Sequence, residues 1–174
     1  MLNIIDGYNF IFKIPRLEAL IESVSLEKAR EELLSLLSRY KLISKQDFTV
    51  VFDGRGQKEY QSGSLPASSE FQGVKVLFSK DVTADEDIIS LMQVFPNPKE
   101  ITIVTSDNGI LNAARRWGCH TSHPEEFYKK ITHTLKKEKF TSTREPSSKF
   151  QELQEHEVKY WLKYFQERLE GEGK

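Results

Sequence analysis

Cysteine is almost missing from this chain, with Cys119 standing alone in 174 residues. A lone thiol excludes an intramolecular disulfide and a metal cluster built on cysteine. No run approaches the ~18 apolar residues that a membrane span needs. The first residues lack the basic segment, the long apolar stretch and the small-residue cleavage site of a secretory leader, and Asp6 interrupts them early. The expectation is a cytoplasmic protein without membrane contact. Formal net charge is only −1, so no global basic field announces a nucleic-acid partner. His120, His123, His133 and His156 show no zinc spacing such as H-E-x-x-H, and "GRG" at 54–56 is too short for a phosphate-binding fingerprint. Cys119 has no evident base partner and reads as a small core residue.

What remains is an ordinary soluble composition. The apolar fraction of 38% is enough for a packed core, and the length suits one domain plus an appendage. Short apolar, β-branched runs recur as strand signals: "LNII" (2–5), "FTVVF" (48–52), "VKVLF" (74–78), "ITIVT" (101–105) and a weaker "CHTSH" (119–123). Helical periodicity fills the spaces between them. Ser25 is a plausible cap for the helix that follows it, though Lys28 stands where a capping box would have an acid. Thr83 and Glu86 form a capping box. The helix after residues 106–108 stops at Gly118, and Pro124 opens another. Alternation of strand and helix predicts a parallel sheet with helices on both faces, and the continuous apolar strands agree with burial on both sides. The stretch 54–73 is rich in glycine and serine and reads as a long loop, with room for a short hairpin. "TSTREPSSK" (141–149) reads as a linker. Residues 150–174 read as a terminal helix with Val158, Trp161, Leu162, Phe165 and Leu169 on one stripe, which packs back on the domain or pairs two chains weakly. The domain proper is then 1–140.

In an open parallel sheet, ligands bind beyond the carboxyl ends of the strands. Asp6 ends the first strand, Asp53 the second, and Ser106 with Asp107 the fourth. A further acid comes from the helix after "VKVLF". With ~100° per residue, Asp85 lies about 50° from the centre of the face made by Ile88, Ile89, Leu91, Met92 and Phe95. Glu86 and Asp87 lie about 110° or more away, so Asp85 is the acid expected to point inward. Carboxylates gathered at one edge repel each other unless a cation joins them. Oxygen ligands without His or Cys suit Mg²⁺ or Mn²⁺. Such an ion can activate water and steady the leaving oxygen of a phosphodiester. Each acid also has a local explanation. Asp53-Gly54 makes a turn pair, Asp85 suits a helix dipole, and Ser106-Asp107-Asn108 starts a helix. Asn9 would orient water or substrate, or simply close the first strand in an Asx turn.

"NIIDGYN" (3–9), "VVFDG" (50–54), "VLFSKDVTADEDI" (76–88) and "IVTSDNG" (103–109) together resemble the YacP-like branch of the NYN domain family, within the PIN-like nucleases. The resemblance covers about the first 140 residues, and the motifs agree in order and spacing. It implies a three-layer α/β fold of PIN/NYN type, with the five strands in the order 3-2-1-4-5 in chain numbering. It implies a Mg²⁺-dependent endoribonuclease with Asp6, Asp85 and Asp107 as metal or catalytic residues and Asn9, Asp53 and Ser106 in support. It also implies a ribosomal partner and messenger RNA as substrate.

Arg55, Lys58 and Lys80 fall on loops at the acid edge and are candidates to hold RNA phosphates, while Tyr8 or Tyr60 could stack on a base. Between Tyr128 and Lys149 seven basic residues stand against two acids, which extends that contact or merely solvates a helix. Two other classes compete. A binding module would hold RNA or a ribosome at the same acids without cutting. A phosphatase or receiver domain on a similar sheet is disfavoured, since Tyr8 stands where a phosphatase of the haloacid dehalogenase type has its second Asp, and "NIID" offers one acid where a receiver has a pair.

Overall fold

The computed structural model describes residues 1–54, 68–79 and 83–142. Arg55, Lys58, Tyr60, Lys80, most of the proposed linker and the proposed terminal helix lie outside the described residues. The elements run β1 (Leu2–Asp6), α1 (Gly7–Lys13), α2 (Pro15–Ser23), α3 (Leu26–Ser44), β2 (Asp47–Asp53), β3 (Ser68–Phe71), β4 (Val74–Ser79), α4 (Ala84–Val94), a 3₁₀ turn (Pro98–Glu100), β5 (Ile101–Val104), α5 (Asn108–Trp117), β6 (His120–Ser122) and α6 (Pro124–Ser142). Among the described residues no helix is long and apolar enough to cross a membrane.

The six strands lie in the order β3-β4-β2-β1-β5-β6. All pairs are parallel except β3 with β4. The five expected strands therefore take their expected order, and one antiparallel edge strand is added. That strand comes from the end of the stretch read as a long loop. Gln72 and Gly73 join it to β4 with φ of 47° and 83°. Two consecutive positive φ values make the tight turn whose twist matches paired strands. The signal is weak in sequence because Gln, rather than Asn or Asp, fills the first position.

Side chains alternate across the sheet. Ile5, Val50, Phe52, Val74, Val76 and Val104 enter one core, where α1, α2, α3 and α6 cover the sheet. Ile4, Val51, Ile101 and Ile103 enter the other with Ile88 and Met92 of α4 and Ile110 and Ala114 of α5. Period-two alternation with apolar residues on both sides is the signature of a strand buried on both faces. Cys119 is a buried member of the second core, as its isolation implied.

Two short helices were not evident in the sequence. Asp6 caps α1 by accepting from the backbone N of Asn9, so "GYN" opens a helix rather than a turn. Pro15 opens α2 at a position where its missing N–H costs nothing. The other helix signals appear as read. Ser25 caps α3 through the N of Lys28, Thr83 and Glu86 close a reciprocal capping box on α4, and Gly118 ends α5 at φ 77°. The helix α6 continues through Ser142, two residues into the expected linker.

The acid edge, a candidate active site

The site grows out of three chain reversals at the carboxyl edge of the sheet. β1 ends on Asp6, which is also the N-cap of α1. The chain leaving β5 passes Thr105 and Ser106 and reaches Asp107, the N-cap of α5. Asp85 sits in the first turn of α4. Since β1 pairs directly with β5, through Ile5 opposite Val104, the Asp6 and Asp107 reversals stand side by side.

Side-chain hydrogen bonds lock these reversals together. Thr105 is fully buried. Its hydroxyl donates to Asp6 Oδ2 at 3.1 Å and accepts from the N of Asp107 at 3.1 Å. Asn9 reaches the other way, and its Oδ1 accepts from both the N and the Oγ of Ser106, at 2.9 and 3.0 Å. Asp107 Oδ1 accepts from the N of Ile110 at 3.0 Å. Asn9 and Ser106 are thus brought together, with Asn9 bracing one loop against another. Thr105 was not singled out in the sequence, because a threonine at a strand end reads as one more β-branched strand residue.

Electrostatics separate Asp6 from an ordinary helix cap. Burial lifts its carboxyl from 3.8 to about 6, and the charges of Asp85 and Asp107 push in the same direction. The bonds from Asn9 and Thr105 pull the other way without prevailing. Asp85, expected to point inward, is an exposed residue, yet partial burial, then Asp107, Asp53 and Glu86, hold its carboxyl above the usual range. Asp53, at the end of β2 opposite Ser79 of β4, therefore belongs to the same field. A buried carboxylate raised by other acids is the mark of a site that gains from a cation.

Asp87 is a correction to the helical-face argument. It was expected to look outward, but its Oδ2 accepts from the buried Ser79 Oγ at 2.5 Å, tying α4 to the end of β4. The face was judged from apolar residues alone, and the first turn of a helix that meets a strand end obeys the strand's polar groups as well.

Gly7, the first residue of α1, has a packing role. A Cβ there would lie 2.3 Å from Phe52 Cε1, so glycine is required by close packing of the strand-to-helix junction on that ring. Tyr8 follows, with its ring centroid 5.0 Å from that of Phe52 and its hydroxyl accepting from Arg30 Nη1 at 3.3 Å.

The donor set at the edge is oxygen only. That chemistry fits a hard divalent ion, and Mg²⁺ in particular takes one or two carboxylates while keeping several waters. Among the described residues no group of three His, Cys, Asp or Glu side chains is arranged to hold a metal ion. Asp6, Asp85 and Asp107 share one electrostatic field at this edge without forming such a group.

No curated protein matches the chain. Among solved structures, the crystal structure of Rae1 (YacP) from Bacillus subtilis is similar, with 26% identity, a TM-score of 0.66, and coverage of 98% of this chain and 97% of that one. A mutant of the same protein matches with 26% identity, a TM-score of 0.63 and coverage of 79% and 77%. The family model for the YacP-like NYN domain spans residues 3–167, well past the first 140 residues in which the resemblance was read. With that match over nearly its whole length, the chain belongs to the YacP-like NYN domain family, within the PIN-like nuclease superfamily.

Proposed function

We propose that this chain is a divalent-metal-dependent endoribonuclease that hydrolyses RNA phosphodiester bonds, with messenger RNA in a ribosomal setting as its substrate and Mg²⁺ or Mn²⁺ as its ion. One observation carries the reading: Asp6 is buried at the sheet edge with its carboxyl raised to about 6, in the field of Asp85 and Asp107. Asp6 and Asp107 cap α1 and α5, a task that a neutral Asn performs as well, and a cation held at this edge would relieve the repulsion among the three acids.

In this reading Asp6, Asp85 and Asp107 hold the ion through carboxylate oxygens. A bound ion supplies Lewis acidity for in-line attack of water on the phosphodiester and charge for the leaving oxygen. The chain's own groups set the geometry. Thr105 keeps Asp6 and the Asp107 loop in register. Asn9 holds the Ser106 loop through its carbonyl oxygen, which leaves its amide N–H groups to orient water or a phosphate oxygen. Tyr8, two residues after Asp6, is a candidate to meet a base, and Arg55, Lys58 and Lys80 are candidates for the backbone phosphates.

A second reading is a non-cleaving RNA- or ribosome-binding module with a degenerate acidic site. The absence of a closed three-ligand cluster among the described residues favours it. One experiment decides between them. Purified protein is incubated with structured RNA and with translating ribosomes in Mg²⁺, and new 5′ ends are mapped. Asn caps a helix as well as Asp does, so Asp6→Asn and Asp107→Asn remove charge while keeping α1 and α5 capped. New 5′ ends with wild type that vanish in Asp6→Asn, Asp85→Asn and Asp107→Asn establish the nuclease. Binding without new ends establishes the module.

A further inference from the structure

On the α3 side of the sheet, one residue short of the acid edge, lies a cavity of about 260 Å³. Its lining comes from α3, β2 and the β3–β4 hairpin. Phe52 forms the floor, fully buried, with Phe78 stacked on it at 5.6 Å between centroids. The guanidinium of Arg30 lies 5.7 Å from the Phe78 centroid. Arg30 is 7% exposed and is held by Tyr8 and by Glu27, whose Oε1 is 3.2 Å from its Nη2. Phe71 adds an apolar wall, and Glu31 of α3 and Glu70 of β3 add carboxylates.

This lining has three properties that together specify a ligand. It is flat-sided and aromatic, with a planar cation fixed among the rings. It is smaller than the roughly 300–1,000 Å³ of sites for drug-sized molecules, so it suits one ring system rather than a chain. Its carboxylates, Glu70 and the Glu31 that also accepts from Lys28 Nζ at 2.9 Å, are acceptors suited to a neutral group with N–H donors. Unpaired RNA bases are recognised in this way, by stacking on aromatic rings or Arg planes and by hydrogen bonds to their edges. Position supports the same choice. Phe52 immediately precedes Asp53, Phe78 immediately precedes Ser79, and Tyr8 touches both Arg30 and Phe52 two residues after Asp6.

We propose that this cavity receives one unpaired nucleobase of the RNA whose backbone lies at the acid edge, laid on the Phe71 ring beside the edge of the Arg30–Phe78 pair, with Glu31 and Glu70 accepting from its N–H groups. Guanine, which presents N1–H and N2–H side by side, matches two carboxylate oxygens best. The proposal rests on the nuclease reading for the position of the backbone, but the cavity can be tested without cleavage.

The test titrates the full chain with guanosine, adenosine, cytidine and uridine, followed by NMR shifts of groups lining the cavity. Guanosine is expected to bind most tightly and to shift Phe78 and Arg30 resonances. Glu31→Gln/Glu70→Gln, two surface substitutions, should weaken guanosine by about tenfold while uridine changes less. If guanosine shifts no cavity resonance, or if the double variant binds all four nucleosides as wild type does, the proposal is overturned. Mapping of 5′ ends separates this failure from that of the nuclease reading. Cleavage with the same base preference in wild type and double variant overturns the cavity alone. Selective guanosine binding without any cleavage supports the cavity and overturns the nuclease.

Discussion

Asn3 and Asp6 stand three residues apart on β1, both buried, and the fold treats them in opposite ways. Asn3, near the amino end, is a neutral amide whose Nδ2 donates to Gln46 Oε1 and to the carbonyl of Asp47, both at 3.2 Å. Its needs are met by acceptors, and it pins β1 to the start of β2. Asp6, at the carboxyl end, is an acid that receives two donors and still sits above its ordinary pKa because burial and neighbouring acids outweigh them. Burial of a polar group alone therefore does not mark a site. An uncompensated electrostatic cost does, and only the carboxyl end of β1 has one.

The comparison can be broken first at its quiet end. Asn3→Asp would aim a carboxylate at two acceptors, and an uncompensated buried charge costs about 3–5 kcal/mol. Urea unfolding at pH 7 should show that loss, and an unchanged midpoint would mean that the amino end is less closed than it looks.

The reverse substitution sharpens the other end. Because the folded pKa of Asp6 lies above the unfolded value, the folded state holds its proton more tightly between pH 3.8 and about 6. The cost of the charge is fully present above about pH 6 and disappears as pH falls toward 3.8. In chelator, wild type should gain about 1 kcal/mol relative to Asp6→Asn between pH 7 and pH 5. Parallel stability curves for the two proteins would remove the electrostatic argument.

Thr105→Val keeps the shape and removes both bonds of the hydroxyl. It should cost about 1–2 kcal/mol and move the pH response of Asp6 upward, because one group that lowers its pKa is lost. A stability loss with the pH response unmoved would reduce Thr105 to packing. A last effect is expected from metal. At ten times its Kd, Mg²⁺ should stabilise wild type by about 1.4 kcal/mol and leave Asp6→Asn and Asp85→Asn unchanged. Equal stabilisation of all three would place the ion elsewhere.

Much of this was legible before the structure. Continuous apolar strands separated by periodic helices led to the parallel sheet, the resemblance supplied its strand order, and strand ends led to Asp6, Asp53 and Asp107. The losses have physical causes. The helices α1 and α2 are short; α1 is capped by Asp6, which also suits a turn, and α2 follows Ile14 with no side-chain cap. The β3 strand has three exposed residues and one half-buried one, so no apolar alternation announces it. Thr105 acts through a hydroxyl that local sequence cannot aim, since its partners Asp6 and Asp107 lie on two chain segments. Asp87 was missed because its partner Ser79 lies across a gap in sequence.

Gly7 makes the first turn of the chain intolerant of spelling changes. Its single hydrogen faces the Phe52 ring, where even a methyl group would overlap. The ring is fully buried, and the backbone before Gly7 is paired on both sides, to β2 and to β5. Any larger residue would have to push on the strand that carries Asp53 and on the floor of the base-sized cavity at once. The two places where this protein meets RNA in the readings above thus share one hinge pin, and it is a residue with no side chain at all.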